Sequence, residues 1–349
     1  MMYTQDEIAL QDVIAMWEEA GIPFSFETNW LVTVRESLFY WYELTSHDSQ
    51  AEHKDNIKGR LHRLKGTTGR DGSRSLIYYI LSCPEVRFDM EYDVVFVDSH
   101  DAYCLQLLID GGKRLQEVAL PRTCEGQQNI EKVELQNNAF IRITYTDGQF
   151  AEMSVHDFTQ WLGISLGSIS NIHYVGFTQN PVDRLVRGGH DGLGRAVYKH
   201  RSTPRDYFIY GFSYKLWAKT TFSLPSLGRT FSLLSSRPLE LDADREGKFI
   251  EACTILYFRP DAQLENDIKN SEGLVRNVFE KELRKRCNLQ SLICYFEEED
   301  EVADCYNFCS VHQGSRRDHV FVVAFRQDEL EINALSLEEA KSLFGYDDL

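Results

Sequence analysis

The chain has 349 residues, of which 43% are apolar and 26% charged, and its 54 acidic and 37 basic side chains give a formal net charge of −17. This composition is typical of a folded protein of two or three domains and excludes a disordered, collagenous or coiled-coil chain. The acidic balance also argues against a general affinity for nucleic acid, because phosphate binding depends on Lys and Arg.

Helices are predicted at the start of the chain. Thr4 followed by Glu7 is a capping-box pattern, in which two side chains satisfy free backbone amides at a helix start. An aromatic-rich helix is predicted over residues 34–44. Residues 54–74 hold seven Lys and Arg together with four glycines, which indicates a helix that runs into a basic loop.

The apolar pattern then changes from a helical to an alternating period. Short apolar or alternating runs over residues 76–155 predict strands. Asp147-Gly148 lies between two of these runs and predicts a hairpin, because tight hairpin turns require positive φ angles. Ser154 is the predicted N-cap of a short helix that ends at Leu162.

Strands and helices alternate in the second half of the chain. Asn180-Pro181 predicts a helix start, with Asn as the cap and Pro at the first helical position. Pro260 ends a later helix, because proline cannot continue the hydrogen-bond ladder. The predicted elements of this half are strands over 172–177, 206–212, 292–296 and 319–325, and helices over 244–258 and 264–283.

Together these elements predict an α+β protein in three regions. Residues 1–160 are expected to form an N-terminal accessory or recognition region, with helices over 4–74 and antiparallel strands over 76–155. Residues 161–270 are expected to form a small mixed sheet flanked by helices. Residues 271–349 complete the chain as a C-terminal α/β region.

One group of residues carries a chemical signal. A Tyr-Val-Gly tripeptide that begins at Tyr174 closes a predicted strand, and Arg184 lies ten residues later, one turn into the next helix. Glu251 lies within a later helix. Cleavage of a phosphodiester needs an activated water, neutralisation of charge at the phosphate and a divalent metal. A tyrosine, an arginine and a helical glutamate can supply these three functions.

This arrangement resembles the GIY-YIG nuclease superfamily. In that family a Tyr-Val/Ile-Gly strand end leads into a helix whose Arg lies ten residues after the Tyr. A later helix carries one metal-binding Glu in a pattern similar to E-x-x-x-I-x-x-(Y/F)-x-P, and the segment from Glu251 to Pro260 reproduces this spacing. The resemblance covers residues 172–262, and it is nearest to the nuclease end of bacterial excision-repair incision proteins.

The resemblance implies a GIY-YIG-like nuclease module over 161–270 that cleaves DNA with Mg²⁺ or Mn²⁺. Tyr174 would be the general base, its acidity raised by nearby cations, and Arg184 would bind the phosphate through its planar donor fork. Glu251 would be the metal ligand, since a lone carboxylate suits an Mg²⁺ ion that keeps most of its waters. His190 is a further catalytic candidate. An acidic nuclease with large flanking regions suits restriction, phage defence or repair better than indiscriminate digestion.

The family's first signature, Gly-Ile-Tyr, does not occur in the sequence. It is expected on a strand that pairs with the strand of Tyr174 and shortly precedes it. Gly163-Ile164-Ser165 is the nearest match and lacks the tyrosine hydroxyl, and Tyr145 is a more distant candidate for the same role. An alternative hypothesis is therefore a catalytically degenerate module that binds nucleic acid or a partner protein.

Two basic stretches interrupt the acidic chain. Residues 54–74 hold seven Lys and Arg against two Asp, and residues 181–230 hold nine against three. Either these charges form a basic groove for DNA on an acidic body, or they are clustered by chance. The acidic surface is a candidate site for a partner protein. The predicted contacts to the DNA backbone are Lys58, Arg60, Lys65, Arg70, Arg187, Arg195, Lys199 and Arg201.

A competing motif runs from Gly163 to Gly167 and has the G-x-S-x-G pattern of a serine-hydrolase nucleophile elbow. It would make Ser165 a nucleophile without a metal. The elbow should follow a buried strand, whereas the residues before Gly163 are predicted to be helical. We therefore rank a serine hydrolase below a nuclease.

The sequence also indicates in which cellular compartment the protein resides. It contains no apolar run of the ~18 residues that a membrane span requires, and residues 1–7 are acidic where a signal peptide would be basic. The eight cysteines are scattered and include no Cys-x-x-Cys pair, which fits a reducing environment. We expect a cytoplasmic protein.

Overall fold

The computed structural model describes residues 10–46, 51–66, 76–123, 129–167, 169–186, 191–235, 241–296, 307–327 and 329–344. Five residues named above lie outside these ranges: Thr4, Glu7, Arg70, Arg187 and His190. Over the described residues the chain is α+β, as predicted, with one nine-stranded mixed sheet and two small antiparallel sheets. No helix within those ranges is long and apolar enough to cross a bilayer.

Helices and strands follow one another irregularly along the chain. The elements of the first half are α1 (Leu10–Glu19), β1 (Ser25–Trp41), α2 (Glu43–Ser46), α3 (Ala51–Gly66), β2 (Leu76–Pro84), β3 (Val86–Phe88), β4 (Val95–Val97), β5 (Ala102–Ile109), β6 (Arg114–Pro121), β7 (Ile130–Leu135), β8 (Phe140–Tyr145), β9 (Phe150–Ser154) and α4 (Val155–Trp161). The second half contributes β10 (Ser170–Thr178), α5 (Pro181–Leu185), α6 (Asp191–His200), β11 (Arg205–Leu224), β12 (Arg229–Ser235), α7 (Ala243–Phe258), α8 (Glu265–Arg276), a π-helical segment (Asn277–Leu283), α9 (Arg284–Cys287), β13 (Leu289–Phe296), β14 (Phe308–Cys309), β15 (His319–Arg326), β16 (Glu329–Ala334) and α10 (Leu337–Phe344).

The large sheet has the strand order β14-β10-β2-β11-β1-β13-β15-β16, and β12 pairs with the second half of β11. The β10–β14 and β1–β13 pairs are parallel, and the other pairs are antiparallel. Strands from residues 1–160, 161–270 and 271–349 all take part. The sheet therefore brings together residues that lie far apart in the sequence.

The aromatic segment predicted as a helix over 34–44 lies mostly in a strand. β1 pairs with β11 from Ser25 opposite Ser223 to Trp41 opposite Phe208, and part of it pairs with β13 on its other side. The helix prediction is therefore wrong up to Trp41. Aromatic side chains pack well on a pleated surface, as the rings of Phe39 and Phe208 do at 4.8 Å, so pairing with β11 outweighs the helical spacing.

Most of the strands predicted over 76–155 form an insertion between β2 and β10. β3–β6 make one antiparallel sheet and β7–β9 make another. The hairpin predicted at Asp147-Gly148 is confirmed, since it joins β8 to β9 with Gly148 at φ 82°. Ser154 caps α4 as predicted by accepting a hydrogen bond from the Asp157 amide. The two sheets and α4 bury a core of their own that includes Phe88, Leu105, Ile141 and Phe158.

A buried carboxylate joins this insertion to the large sheet. Asp206 of β11 accepts a hydrogen bond from the backbone amide of Val86 at 2.8 Å and another from Arg87 Nη1 at 2.8 Å. His156 Nε2 lies 2.8 Å from Asp206 Oδ2. Burial alone would raise the pKa of Asp206, but His156 and Arg87 together hold it below its usual range. The ionised carboxylate is therefore the form that stabilises the fold.

Asp206→Asn is expected to reduce the free energy of unfolding by about 3 kcal/mol, because it leaves the largely buried Arg87 guanidinium without its counter-charge. The melting temperature should fall by roughly 4 °C in thermal unfolding followed by circular dichroism. Since the pKa of Asp206 is lowered, the wild type should lose this stabilisation as the pH falls below about 4. Asp110→Asn, in an exposed pair with Lys113, is the matched control and should have little effect. Equal melting temperatures for Asp206→Asn and wild type would contradict this role.

α7 confirms the helix predicted over 244–258. Asp242 accepts a hydrogen bond from the Arg245 amide as the N-cap, and Arg259 ends the helix in the left-handed conformation just before Pro260. Most of α7 is buried, and the helix packs against β2, β10 and β16. The helix predicted over 264–283 is confirmed as α8 and the π-helical segment. α7 thus delivers its side chains directly to the strand that contains Tyr174.

Candidate active site

Two tyrosines lie side by side on paired strands. β2 and β10 are antiparallel, with Tyr78 directly opposite Gly176, and Tyr174 lies two residues before Gly176 on the same face. The rings of Tyr78 and Tyr174 are stacked, with their centroids 6.1 Å apart. A Cβ atom on Gly176 would lie 2.3 Å from the Tyr78 hydroxyl oxygen and 2.8 Å from Tyr174 Cε1. The glycine of the Tyr-Val-Gly tripeptide therefore makes room for both rings.

A β-bulge at His173 puts the two rings on one face. The pairing shifts between Ile172 and Tyr174, so that His173 is an extra residue with no partner on β2. Without this residue Tyr78 would pair with Val175, and Tyr174 would point to the opposite face of the sheet. The bulge is thus a precondition of the tyrosine pair.

Arg184 reaches both tyrosines from α5. Asn180 is the N-cap position of α5 and Pro181 begins the helix, as predicted, although the Asn180 side chain makes no capping hydrogen bond. Arg184 Nε donates a hydrogen bond to the Tyr78 hydroxyl at 3.5 Å, and the guanidinium also hydrogen-bonds Tyr174. Arg184 is otherwise exposed. Its remaining donors can therefore meet a phosphate from solvent.

Glu251 joins the group from α7. Gly247, one turn earlier, lets α7 approach β10 closely, since a Cβ atom there would lie 2.1 Å from Phe177 Cε2. The Glu251 carboxylate accepts a hydrogen bond from the Phe177 backbone and interacts electrostatically with Arg184. Together with burial, the negative charge of Glu251 also raises the pKa of Tyr78 and of Tyr174. The structure therefore brings the predicted Tyr174, Arg184 and Glu251 together.

Burial makes the carboxyl group of Glu251 a weaker acid than usual. It raises the pKa of this carboxyl group to about 7, against the lowering effect of Lys248. The nearby Asp267 carboxylate raises the pKa further, while the Phe177 hydrogen bond and Arg184 lower it. Burial and the neighbouring Asp267 both disfavour the ionised form of Glu251. A bound cation would offset both effects.

The prediction that cations make Tyr174 more acidic is wrong for the chain alone. Burial and the Glu251 carboxylate raise the pKa of Tyr174, and together they outweigh the lowering by Arg184 and Arg195. Arg195 of α6 places its guanidinium carbon 5.4 Å from the centre of the Tyr174 ring. Its Nε is buried without a hydrogen-bond partner among the described residues. The Tyr174 phenol is therefore neutral near pH 7.

Tyr78 is the site residue that the sequence analysis missed. Its strand pairs with the strand of Tyr174 but precedes it by about ninety residues because of the insertion. Tyr145, considered for this role, lies instead on β8 and pairs with Ile130 in a small sheet. The sequence did contain one indication of this residue. The dipeptide Ile77-Tyr78 in β2 matches the last two residues of the Gly-Ile-Tyr signature.

Six of the eight predicted DNA contacts lie in the described part of the chain, on or directly after two helices of the candidate site. Lys58, Arg60 and Lys65 lie on α3, which packs against α5, and Lys65 Nζ donates to the Asn180 side chain at 3.4 Å. Arg195 and Lys199 lie on α6, and Arg201 directly follows it. The Arg201 guanidinium carbon is 4.6 Å from the ring centre of Tyr198, an exposed aromatic side chain. Basic side chains therefore flank the candidate active site on both helices.

A second polar cluster surrounds the bulge. His173 Nδ1 lies 2.7 Å from Asp261 Oδ1, and His200 Nε2 lies 2.9 Å from Asp261 Oδ2. The donor atoms of these three residues lie within 4.8 Å of one another and could hold a metal ion. No sequence motif indicated this cluster, because its members come from β10, the end of α6 and the turn after α7.

Ser165 does not lie on a nucleophile elbow. It is exposed in the connection from α4 to β10, so a helix precedes it and a strand follows it. An elbow has the reverse order, with a strand leading into a helix. The local structure thus lacks the strained turn that would present a serine nucleophile.

The chain matches no protein-family model, no curated protein and no solved structure.

Proposed function

We propose that the chain is a divalent-metal-dependent endonuclease that cleaves phosphodiester bonds of DNA at a GIY-YIG-like site. The observation that carries this proposal is the convergence of Tyr78, Tyr174, Arg184 and Glu251 from four separate elements. The degenerate-module alternative rested on the missing first tyrosine, and Tyr78 supplies a hydroxyl on the expected paired strand. The presence of Tyr78 therefore supports the nuclease proposal over the binding module.

The two tyrosines have different roles in this proposal. Tyr78 is only 1% exposed and accepts a hydrogen bond from Arg184, so it positions the guanidinium. Tyr174 is partly exposed and lies between Arg184 and Arg195. Tyr174 would first release its proton to bulk solvent. The phenolate would then accept a proton from the attacking water, and both arginines would stabilise the phenolate. Arg184 would also donate to the phosphate oxygens as negative charge builds on them.

The residues around Glu251 fit a magnesium ion. The donors are hard carboxylate oxygens, from Glu251 with Asp267 nearby, which is the ligand type that Mg²⁺ prefers. Glu251 would hold the ion, which supplies charge stabilisation at the leaving oxygen. Manganese takes the same ligand types and would serve in its place.

Nicking of supercoiled plasmid DNA tests the proposal. We expect wild type to nick with Mg²⁺ and not with a chelator, and Tyr174→Phe to lose at least ~100-fold in rate, because removal of a general base costs that much. Tyr198→Phe, at an exposed tyrosine on α6, is the matched control and should nick normally. Full nicking by Tyr174→Phe would overturn the assignment, and so would a wild type that retains DNA without cutting it.

A further inference from the structure

The bulge at His173 lies within a cluster of metal-ligand side chains that the nuclease proposal does not use. The Asp261 carboxylate presents one oxygen to each of two imidazoles, at 2.7 Å from His173 Nδ1 and 2.9 Å from His200 Nε2. The two imidazole rings are 4.4 Å apart. We propose that His173, His200 and Asp261 form a second metal site, for a transition-metal ion such as Zn²⁺.

The donor set favours a transition metal over magnesium. Two imidazole nitrogens and one carboxylate are typical ligands of Zn²⁺, whereas Mg²⁺ prefers oxygen donors alone. Ligands around a tetrahedral Zn²⁺ are separated by about 3.3 Å, given bonds of about 2 Å. The two histidine–carboxylate separations, 2.7 and 2.9 Å, are shorter than this, and the donor atoms of all three residues lie within 4.8 Å of one another. A small outward movement of the side chains would therefore admit the ion.

The cluster also has the outer hydrogen bonds that metal sites require. His173 Nε2 lies 2.7 Å from Ser82 Oγ, and Arg205 Nη1 donates to the same oxygen at 2.8 Å. Such a bond on the second ring nitrogen fixes the ring orientation of a metal-bound histidine. His173 and Ser82 are buried, whereas His200 and Asp261 are partly exposed. An ion thus has an entry path from the His200 side.

Lys199 neutralises the site in the absence of a metal. Its ammonium group lies 3.3 Å from Asp261 Oδ2 and donates to the Asp261 carbonyl oxygen at 2.7 Å. The Lys199 side chain is 49% exposed and can move into solvent. Because an incoming cation must displace this charge, removal of Lys199 should increase the affinity for metal.

A metal here would join three elements of the candidate active site. His173 is the bulge residue that precedes Tyr174, His200 ends the helix that carries Arg195, and Asp261 follows the helix that carries Glu251. The ion would thus lock the register that places Tyr78 and Tyr174 on one face. The site is distinct from Glu251, and its existence does not depend on nuclease activity.

Zinc titration in competition with a chromophoric chelator tests the proposal. The full chain is used with Glu251→Gln, so that ions at Glu251 do not contribute. We expect one Zn²⁺ per chain, a loss of at least ~10-fold in affinity for His200→Ala, and an increase of about 10-fold for Lys199→Met. His312→Ala, an exposed histidine elsewhere, is the control.

The thermal shift gives an independent readout. Zinc should raise the melting temperature of the parent and of His312→Ala, but not that of His200→Ala, because a ligand stabilises only the state that binds it. His200 is partly exposed, so its loss should leave the chain folded, as circular dichroism would verify. Absence of zinc binding in both the parent and Lys199→Met would overturn the proposal. Equal zinc affinity in the parent and His200→Ala would do the same.

Discussion

Glu251→Gln is expected to reduce Mg²⁺-dependent cleavage by about 10³-fold, since metal stabilisation of the transition state is worth several kcal/mol. Glutamine keeps the shape of the side chain but cannot offer an anionic oxygen. The measurement is the rate of plasmid nicking at saturating Mg²⁺. Glu272→Gln on α8, an exposed carboxylate paired with Arg276, is the matched control and should cut at the wild-type rate.

The pH dependence provides a second test of Glu251. Only the ionised carboxylate binds metal, and burial raises the pKa of this group to about 7. The affinity for Mg²⁺ should therefore increase as the pH rises from about 6 to about 8, and Glu251→Gln should remove this dependence. In the absence of metal, Glu251→Gln should be more stable than wild type at about pH 8, because it replaces a buried charge with a neutral group. Wild-type cleavage by this variant, or the same Mg²⁺ affinity at both pH values, would contradict the role of Glu251.

Gly176→Ala is expected to impair both activity and stability. The new methyl group would lie 2.3 Å from the Tyr78 hydroxyl oxygen and 2.8 Å from Tyr174 Cε1, so at least one ring must move. Displacement of a reacting group by about 1 Å costs roughly 10²-fold in rate. Overpacking of this kind should also lower the free energy of unfolding by about 1–3 kcal/mol.

Gly211→Ala separates loss of the site from loss of the fold. Gly211 lies on β11 directly opposite Tyr78, and a Cβ atom there would meet its nearest neighbours at 3.8 and 3.9 Å, which is ordinary van der Waals contact. We expect this variant to nick DNA normally and to melt near the wild-type temperature. Equal nicking rates for the two alanine variants would show that the close approach at Gly176 is unimportant.

Local patterns predicted much of the fold, and the resemblance to the GIY-YIG family pointed to three of the four residues of the candidate site. The α7 helix with its Pro260 stop and the helix start at Asn180-Pro181 depend on neighbouring residues, so they can be recognised without knowledge of the tertiary structure. Tyr174, Arg184 and Glu251 lie in or beside these elements, and they were selected because their spacing resembles that of the GIY-YIG family. The α+β class followed from the change of apolar period after residue 76.

Other features depend on contacts between distant segments. The run of aromatic residues up to Trp41 suits a helix or a buried strand, and only its pairing with β11 decides between them. Tyr78 could not be identified as the partner of Tyr174, because the insertion separates their strands. The bulge at His173 and its contact with Asp261 join residues 88 positions apart, and no local pattern encodes such a contact.

The insertion between β2 and β10 has a consequence for folding order. Ser82 and Asn171 are paired neighbours although the whole insertion separates them, so their pairing requires the closure of a long loop, which is entropically costly and slow. The small sheets are built from short-range hairpins and have their own core, so they can assemble earlier and draw the loop ends together. The two tyrosines should accordingly meet late in folding, after the insertion has become compact.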